Sequence, residues 1–162
     1  MVLGMALSTF TRVHVIISLI AIVSGLLTVS GMARGQRTDG WTGLFLLTTV
    51  LTSVSGFLFP FDRLLPSHQV GIVSLVVLAI VLLGRYGTSL GGPWRWIYPL
   101  GCVVALYLNV VVLVAQAFQK IPALAALAPT QSELPFQLVQ LGVLALLLWL
   151  AVGAVRRFRY TL

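Results

Sequence analysis

Five long apolar runs, separated by short polar or glycine- and proline-rich links, constrain this chain more than any other feature of its sequence. A helix that crosses a bilayer needs about 20 mostly apolar residues. The runs that approach or meet this length cover residues 13–30, 41–59, 69–86, 96–118 and 136–155. The third run is the weakest, because its uninterrupted apolar core is only residues 75–83, so four spans is the alternative. We therefore predict an all-α fold, with residues 1–162 forming one transmembrane bundle of five helices.

Composition agrees with a membrane protein. Hydrophobic residues make up 59% of the 162 residues and charged residues only 8%, and the mean hydropathy is +1.08. Soluble domains carry about 25% charged residues. Three acids and two histidines leave little material for general acid–base catalysis. The chain also lacks the common nucleotide-binding, metalloprotease and hydrolase motifs, so a non-enzymatic role is favoured.

The formal net charge of +7 reports topology rather than nucleic-acid binding. A nucleic-acid-binding protein gathers its cations on one solvated face, whereas here they stand singly or in small groups between apolar runs. Five alternating spans place three cations on one side: Arg12, Arg63 and Lys120. The other side receives seven: Arg34, Arg37, Arg85, Arg95, Arg156, Arg157 and Arg159. The positive-inside rule then predicts an outer N-terminus and a cytoplasmic C-terminus in the lipid bilayer.

Polar and small residues inside the runs indicate helix contacts. Asn109 and Gln116 share one face of the fourth run, where amides either join helices or line a polar path for a quinone or an ion. Small residues four apart let helices approach closely. Two such pairs occur, Ala21 with Gly25 and Gly101 with Ala105. We expect each pair to mark a contact face.

Two links contain helix-capping signals. Asp39 precedes the second run and suits its N-terminus. Thr130 and Glu133 precede the fifth run at the spacing of a capping box, in which each side chain satisfies a backbone N–H near the other residue. Pro135 would then fall in the first turn, where its missing N–H costs little.

The two histidines, His14 and His68, open the first and third runs. Both runs cross in the same direction, so both imidazoles are expected near the outer face. Helical bundles build cofactor and metal sites from side chains on facing helices, and Asp62 or Glu133 would be available to bond the second ring nitrogen. The functional alternative is a b-type haem or metal held by the two histidines. The structural alternative is that they bind interfacial water and cap helices.

Three segments carry a family resemblance: FPFDRLLPSHQVGIVSL at residues 59–75, GPWRWIYPLGCVVALYLNVVVLVAQAFQKIPAL at residues 92–124 and APTQSELPF at residues 128–136. They resemble a family of small polytopic bacterial inner-membrane proteins with no assigned activity, over residues 13–136. Leu134 departs from the proline expected after the QSE triplet. The resemblance implies a shared constellation at the outer face, formed by His14, Asp62, Arg63, His68, Gln131 and Glu133.

These observations favour a multi-pass protein of the bacterial inner (cytoplasmic) membrane. Its expected role is a non-enzymatic accessory or interaction subunit of a larger membrane complex, or of a homo-oligomer. The alternative is a redox protein that binds b-type haem or a metal through His14 and His68.

Overall fold

The computed structural model describes residues 2–60, 66–88 and 90–158, and within them the chain is helical with no β-strand. The all-α prediction is therefore confirmed for this part of the chain. The six α-helices are α1 (Leu7–Ala33), α2 (Asp39–Gly56), α3 (Pro66–Leu82), α4 (Trp94–Lys120), α5 (Pro122–Leu127) and α6 (Leu134–Arg157). A π-helical turn, Leu83–Gly87, continues α3.

Within the described ranges, four helical segments are long and apolar enough to cross a membrane: Leu7–Ala33, Ser67–Gly87, Trp94–Lys120 and Leu134–Arg157. The third run, expected to be the weakest, is among them. The 18-residue α2 is long enough but is not among them, because its residues from Asp39 to Gly56 are on average less apolar. The apolar residues after Gly56, which belonged to the predicted span 41–59, lie beyond its last turn.

The predicted first, fourth and fifth spans are shorter than the helices that contain them. α1 extends six residues before the predicted start at 13 and three beyond the predicted end at 30. α4 and α6 each extend two residues beyond both predicted ends. Hydrophobicity locates the part of a helix that lies in hydrocarbon, whereas the backbone hydrogen bonds continue into the more polar flanks.

Neighbouring long helices run in opposite directions, so their termini gather at two ends of the bundle. At the arginine end, Asp39 at the start of α2 contacts Arg85 after α3, and Arg85 contacts Tyr98 at the start of α4. At the histidine end, His14 of α1 contacts Ser55 of α2. His68 of α3 lies at the same end, where its ring contacts Phe57 after α2.

Small residues set the closest helix approaches. A β-carbon at Gly25 of α1 would lie 2.8 Å from the Phe45 ring of α2 and 2.9 Å from Leu106 of α4. One turn earlier, Ala21 is completely buried. The predicted contact face on α1 is therefore confirmed. The pair on α4 behaves in the same way, because Gly101 faces Val81 of α3 and Ala105 is completely buried.

Large apolar side chains cover the outside of the bundle. On α6, for example, Leu141 is 60% exposed and Trp149 is 71% exposed. Soluble monomers rarely expose contiguous apolar surface of this extent. This surface suits the hydrocarbon of a lipid bilayer, which is consistent with a multi-pass membrane protein.

The substitution Gly25→Ala should separate packing from helix propensity. Its new methyl group would meet the completely buried Phe45 ring, so we expect a loss of about 1–3 kcal/mol in the free energy of unfolding. The control is Gly142→Ala on α6, where no atom lies within 4 Å of the added carbon. Alanine is the better helix former, so the control should gain about 0.5–1 kcal/mol. Thermal unfolding in detergent, followed by circular dichroism, measures both; equal transition temperatures would contradict this account of the contact.

Candidate functional site

His14 is held by a hydroxyl relay at the histidine end. Its Nδ1 atom lies 2.7 Å from the Ser55 hydroxyl, which in turn donates to the Thr52 carbonyl at 3.2 Å. A serine hydroxyl has one proton to donate. The contact with Ser55 holds the imidazole at the end of α2, and which of the two groups donates depends on the tautomer of the ring.

Each histidine ring packs on a different phenylalanine that follows α2. The His14 ring lies edge-on to Phe59, with 5.2 Å between centroids, and the buried His68 ring lies 5.6 Å from Phe57. α1 and α3 both pack against α2. The end of α2 thus contributes a neighbour to each histidine. Within the described ranges, no three His, Cys, Asp or Glu side chains gather into a metal-binding group.

The described members of the predicted outer-face constellation contact different helices, and their grouping stays a prediction. Asp62 and Arg63 lie outside the described residues. His14 and His68 belong to the α1–α2–α3 side. Gln131 instead joins the loop before α6 to α4, since its amide donates to the Ala115 carbonyl at 2.7 Å.

Glu133 organises the turn that leads into α6. Its carboxylate accepts hydrogen bonds from the Thr130 N–H at 3.1 Å, the Thr130 hydroxyl at 2.8 Å and the Ser132 N–H at 3.1 Å. Desolvation is the largest single influence and raises the pKa of Glu133, but the hydrogen bonds together outweigh it, so the pKa lies below its usual value. Pro135 lies in the first turn, as predicted.

Half of the predicted capping box is therefore confirmed, because Glu133 reaches back to the Thr130 N–H. The expectation that Thr130 is the N-cap is wrong. Glu133 has an extended backbone and is itself the N-cap, so α6 begins at Leu134. The Thr130 hydroxyl donates to the carboxylate instead of accepting a backbone N–H.

The amide of Asn109 joins two helices. It donates to the Thr49 hydroxyl of α2 at 3.2 Å, which supports the interpretation of this residue as a helix–helix contact. A second polar bridge joins Ser53 of α2 to Ser74 of α3 at 3.2 Å. Gln116 makes no side-chain hydrogen bond within the described part of the chain, so its role stays a prediction.

The most concentrated charged cluster lies at the arginine end. The Arg85 guanidinium donates to the Asp39 carboxylate at 3.0 Å and to the Tyr98 hydroxyl at 2.9 Å. Arg37 forms a second ion pair with Asp39 at 3.3 Å. Tyr98 is completely buried, and the Arg85 side chain is only 14% exposed. The cluster thereby ties α2, α3 and α4 together.

Sequence reasoning missed this cluster. Asp39 was expected to cap α2, but Thr38 is the N-cap and α2 has no side-chain cap. Asp39 instead sits in the first helical turn, where an acid is favourable, and its carboxylate faces Arg85. The π-helical turn, Leu83–Gly87, contains Arg85, and such turns occur frequently at functional sites. The alternating topology was the available signal, because it places Asp39 and Arg85 on the same side.

Comparisons of this chain with protein-family models, with curated proteins and with solved structures found no match.

The substitution Asp39→Asn should destabilise the bundle, because it leaves the largely buried Arg85 without its anionic partner. We expect a loss of about 1–2 kcal/mol, below the cost for a fully buried pair since Asp39 is itself 45% exposed. The matched control is Arg37→Gln, which removes the exposed partner of the same carboxylate and should cost about 0–1 kcal/mol. Unfolding by sodium dodecyl sulfate in mixed micelles measures both, and an equal or larger loss in Arg37→Gln would contradict the assignment.

Proposed function

We propose that this chain is a five-span protein of the bacterial inner membrane, with the N-terminus outside and the C-terminus in the cytoplasm. Its role is that of a non-enzymatic accessory or interaction subunit in a larger membrane complex. The four apolar helices supply four of the spans. α2 is the proposed fifth, since Asp39 at its start and Ser55 near its end contact opposite ends of the bundle.

One observation carries this proposal: within the described bundle, the polar side chains that reach beyond their own helix bond to neighbouring helices. Asn109 bonds to α2, Ser53 bonds to α3, and Arg85 is bound by Asp39 and Tyr98. The outward faces are meanwhile apolar. Groups that hold a bundle together are not arranged to bind and transform a substrate. The outward helix faces are therefore the proposed contact surface.

Purification of the full chain from native membranes tests this role. After cross-linking and extraction in mild detergent, we expect the chain to migrate with another membrane protein in a fixed ratio. Recovery of only the free monomer, under conditions that preserve known complexes in the same membranes, would contradict an accessory role.

The haem or metal alternative has one observation in its favour. A ligating histidine usually donates its second ring N–H to a fixed partner, and the Ser55 hydroxyl lies 2.7 Å from Nδ1 of His14, in position to accept such a bond. However, the contacts with Phe59 and Phe57 place a phenyl ring beside each imidazole, where a planar macrocycle would need room. The described residues therefore fit a haem between the two histidines less well than they fit helix packing.

Absorption spectroscopy with metal analysis distinguishes the two functions. We expect a featureless visible spectrum and no stoichiometric metal in the chain purified from native membranes. A Soret band that sharpens on reduction by dithionite, and that disappears in His14→Ala and in His68→Ala, would establish the cofactor function instead. The variant Asn109→Ala, which alters a polar contact away from the histidines, is the control for general misfolding.

A further inference from the structure

Two shallow grooves meet on the surface formed by α1 and α2. The first, of about 460 Å³, lies at the arginine end and is lined by Arg37, Thr38, Asp39 and Gly40. The second, of about 300 Å³, runs along α1 and is lined by Ile16, Leu19, Ile20, Val23 and Ser24. Trp41 and Leu44 line both grooves, so the two form one continuous surface.

The two grooves differ in chemistry. The first has a charged rim, whereas the second is bounded almost wholly by aliphatic side chains. The one hydroxyl in the second groove belongs to Ser24, and it donates to the Ile20 carbonyl at 2.6 Å. The second groove therefore presents no polar group in need of a partner. A molecule that fills both must have a polar head and an apolar tail.

The charge of the arginine end favours an anionic head. The rim itself holds one cation and one anion, Arg37 and Asp39. Asp39 is already paired with two cations, Arg37 at 3.3 Å and Arg85 at 3.0 Å. Arg34, which follows α1, adds an exposed cation beside the groove's end of the bundle. Among the described residues, positive charge at the arginine end thus exceeds negative charge, and the 62% exposed Arg37 is the guanidinium suited to phosphate.

The dimensions match one leaflet of a bilayer. Residues 16–24 extend about 12 Å along α1, at 1.5 Å per residue. One leaflet contributes about half of a hydrocarbon core that is roughly 30 Å thick. Trp41 lies where the charged and apolar grooves meet, and tryptophan is enriched at the boundary between head groups and hydrocarbon.

We propose that this surface is a binding site for one anionic glycerophospholipid of the surrounding leaflet. Its phosphate lies at Arg37, and one acyl chain fills the groove along α1. The site goes beyond the accessory role and does not depend on any protein partner or on the direction in which the chain is inserted.

Quenching of Trp41 by brominated lipids tests the site in the full chain. The protein is placed in nanodiscs that contain phosphatidylcholine and an equal mole fraction of dibrominated phosphatidylglycerol or dibrominated phosphatidylcholine. The difference between the wild type and Trp41→Phe isolates the signal of Trp41. We expect about fivefold stronger relative binding of phosphatidylglycerol, the equivalent of about 1 kcal/mol for one cation near a membrane surface.

Two pairs of variants assign that preference to the grooves. Arg37→Gln should abolish it, whereas Arg95→Gln removes an exposed cation elsewhere at the arginine end and should leave it unchanged. Val23→Phe should narrow the apolar groove and reduce quenching by both lipids, whereas Val152→Phe on the exposed face of α6 should not. Circular dichroism verifies that each variant is folded.

Three results would overturn the proposal. Equal quenching by the two brominated lipids would mean that the surface takes bulk lipid only. An equal loss of preference in Arg37→Gln and Arg95→Gln would assign the effect to the overall charge of this end. Unchanged quenching in folded Val23→Phe would show that no acyl chain occupies the groove.

Discussion

The arrangement of the bundle depends on burying the hydroxyl-bearing face of α2. A buried hydroxyl without a hydrogen-bond partner is costly, and hydrocarbon offers none. The hydroxyls of Thr42 and Thr48 find partners within α2 and its N-cap, because they donate to carbonyls of the preceding turn at 2.8 and 2.7 Å. Thr49 accepts a bond from Asn109 of α4, and Ser53 donates to Ser74 of α3. Thr52 is the exception among the described residues of α2, because its hydroxyl is buried without a hydrogen-bond partner. α2 packs against α1 and α3 and turns aliphatic side chains such as Leu47 outward.

The same constraint explains why charge is confined to the ends. Arg85 can lie beside the membrane-spanning part of α3 because Asp39 and Tyr98 both bind its guanidinium. At the opposite end, Ser55 bonds to His14, and Glu133 closes the turn before α6. These contacts hold consecutive helices at their junctions. They explain an antiparallel bundle without requiring a catalytic centre inside it.

Much of this organisation could be predicted from the sequence, because hydrophobic run length and small-residue spacing are local properties. They predicted an all-helical chain, in which four of the five predicted spans are found among the described residues, and the contact faces at Gly25 and Gly101. Which side chains contact each other between helices could not be predicted in the same way. Asp39 reads locally as a helix cap, and only the register of α2 against α3 shows that it faces Arg85.

The histidines illustrate a related limit. Alternating spans correctly predicted that His14 and His68 share one end of the bundle. Their immediate neighbours depend on where α2 ends. Because α2 stops at Gly56, Phe57 and Phe59 follow the helix, and each packs against one of the two imidazoles. A continuous run of apolar residues does not show where within it the helix ends.

The most direct test of this account is whether α2 crosses the membrane. The native Cys102 is buried, so the unmodified chain serves as the blank for labelling by a membrane-impermeant maleimide. Gln36→Cys before α2 and Ser132→Cys before α6 place exposed thiols in two polar loops. Our account predicts labelling of Ser132→Cys from outside the cell, and of Gln36→Cys only after the membrane is opened. Labelling of both from the same side would show that α2 does not cross and would contradict the five-span bundle.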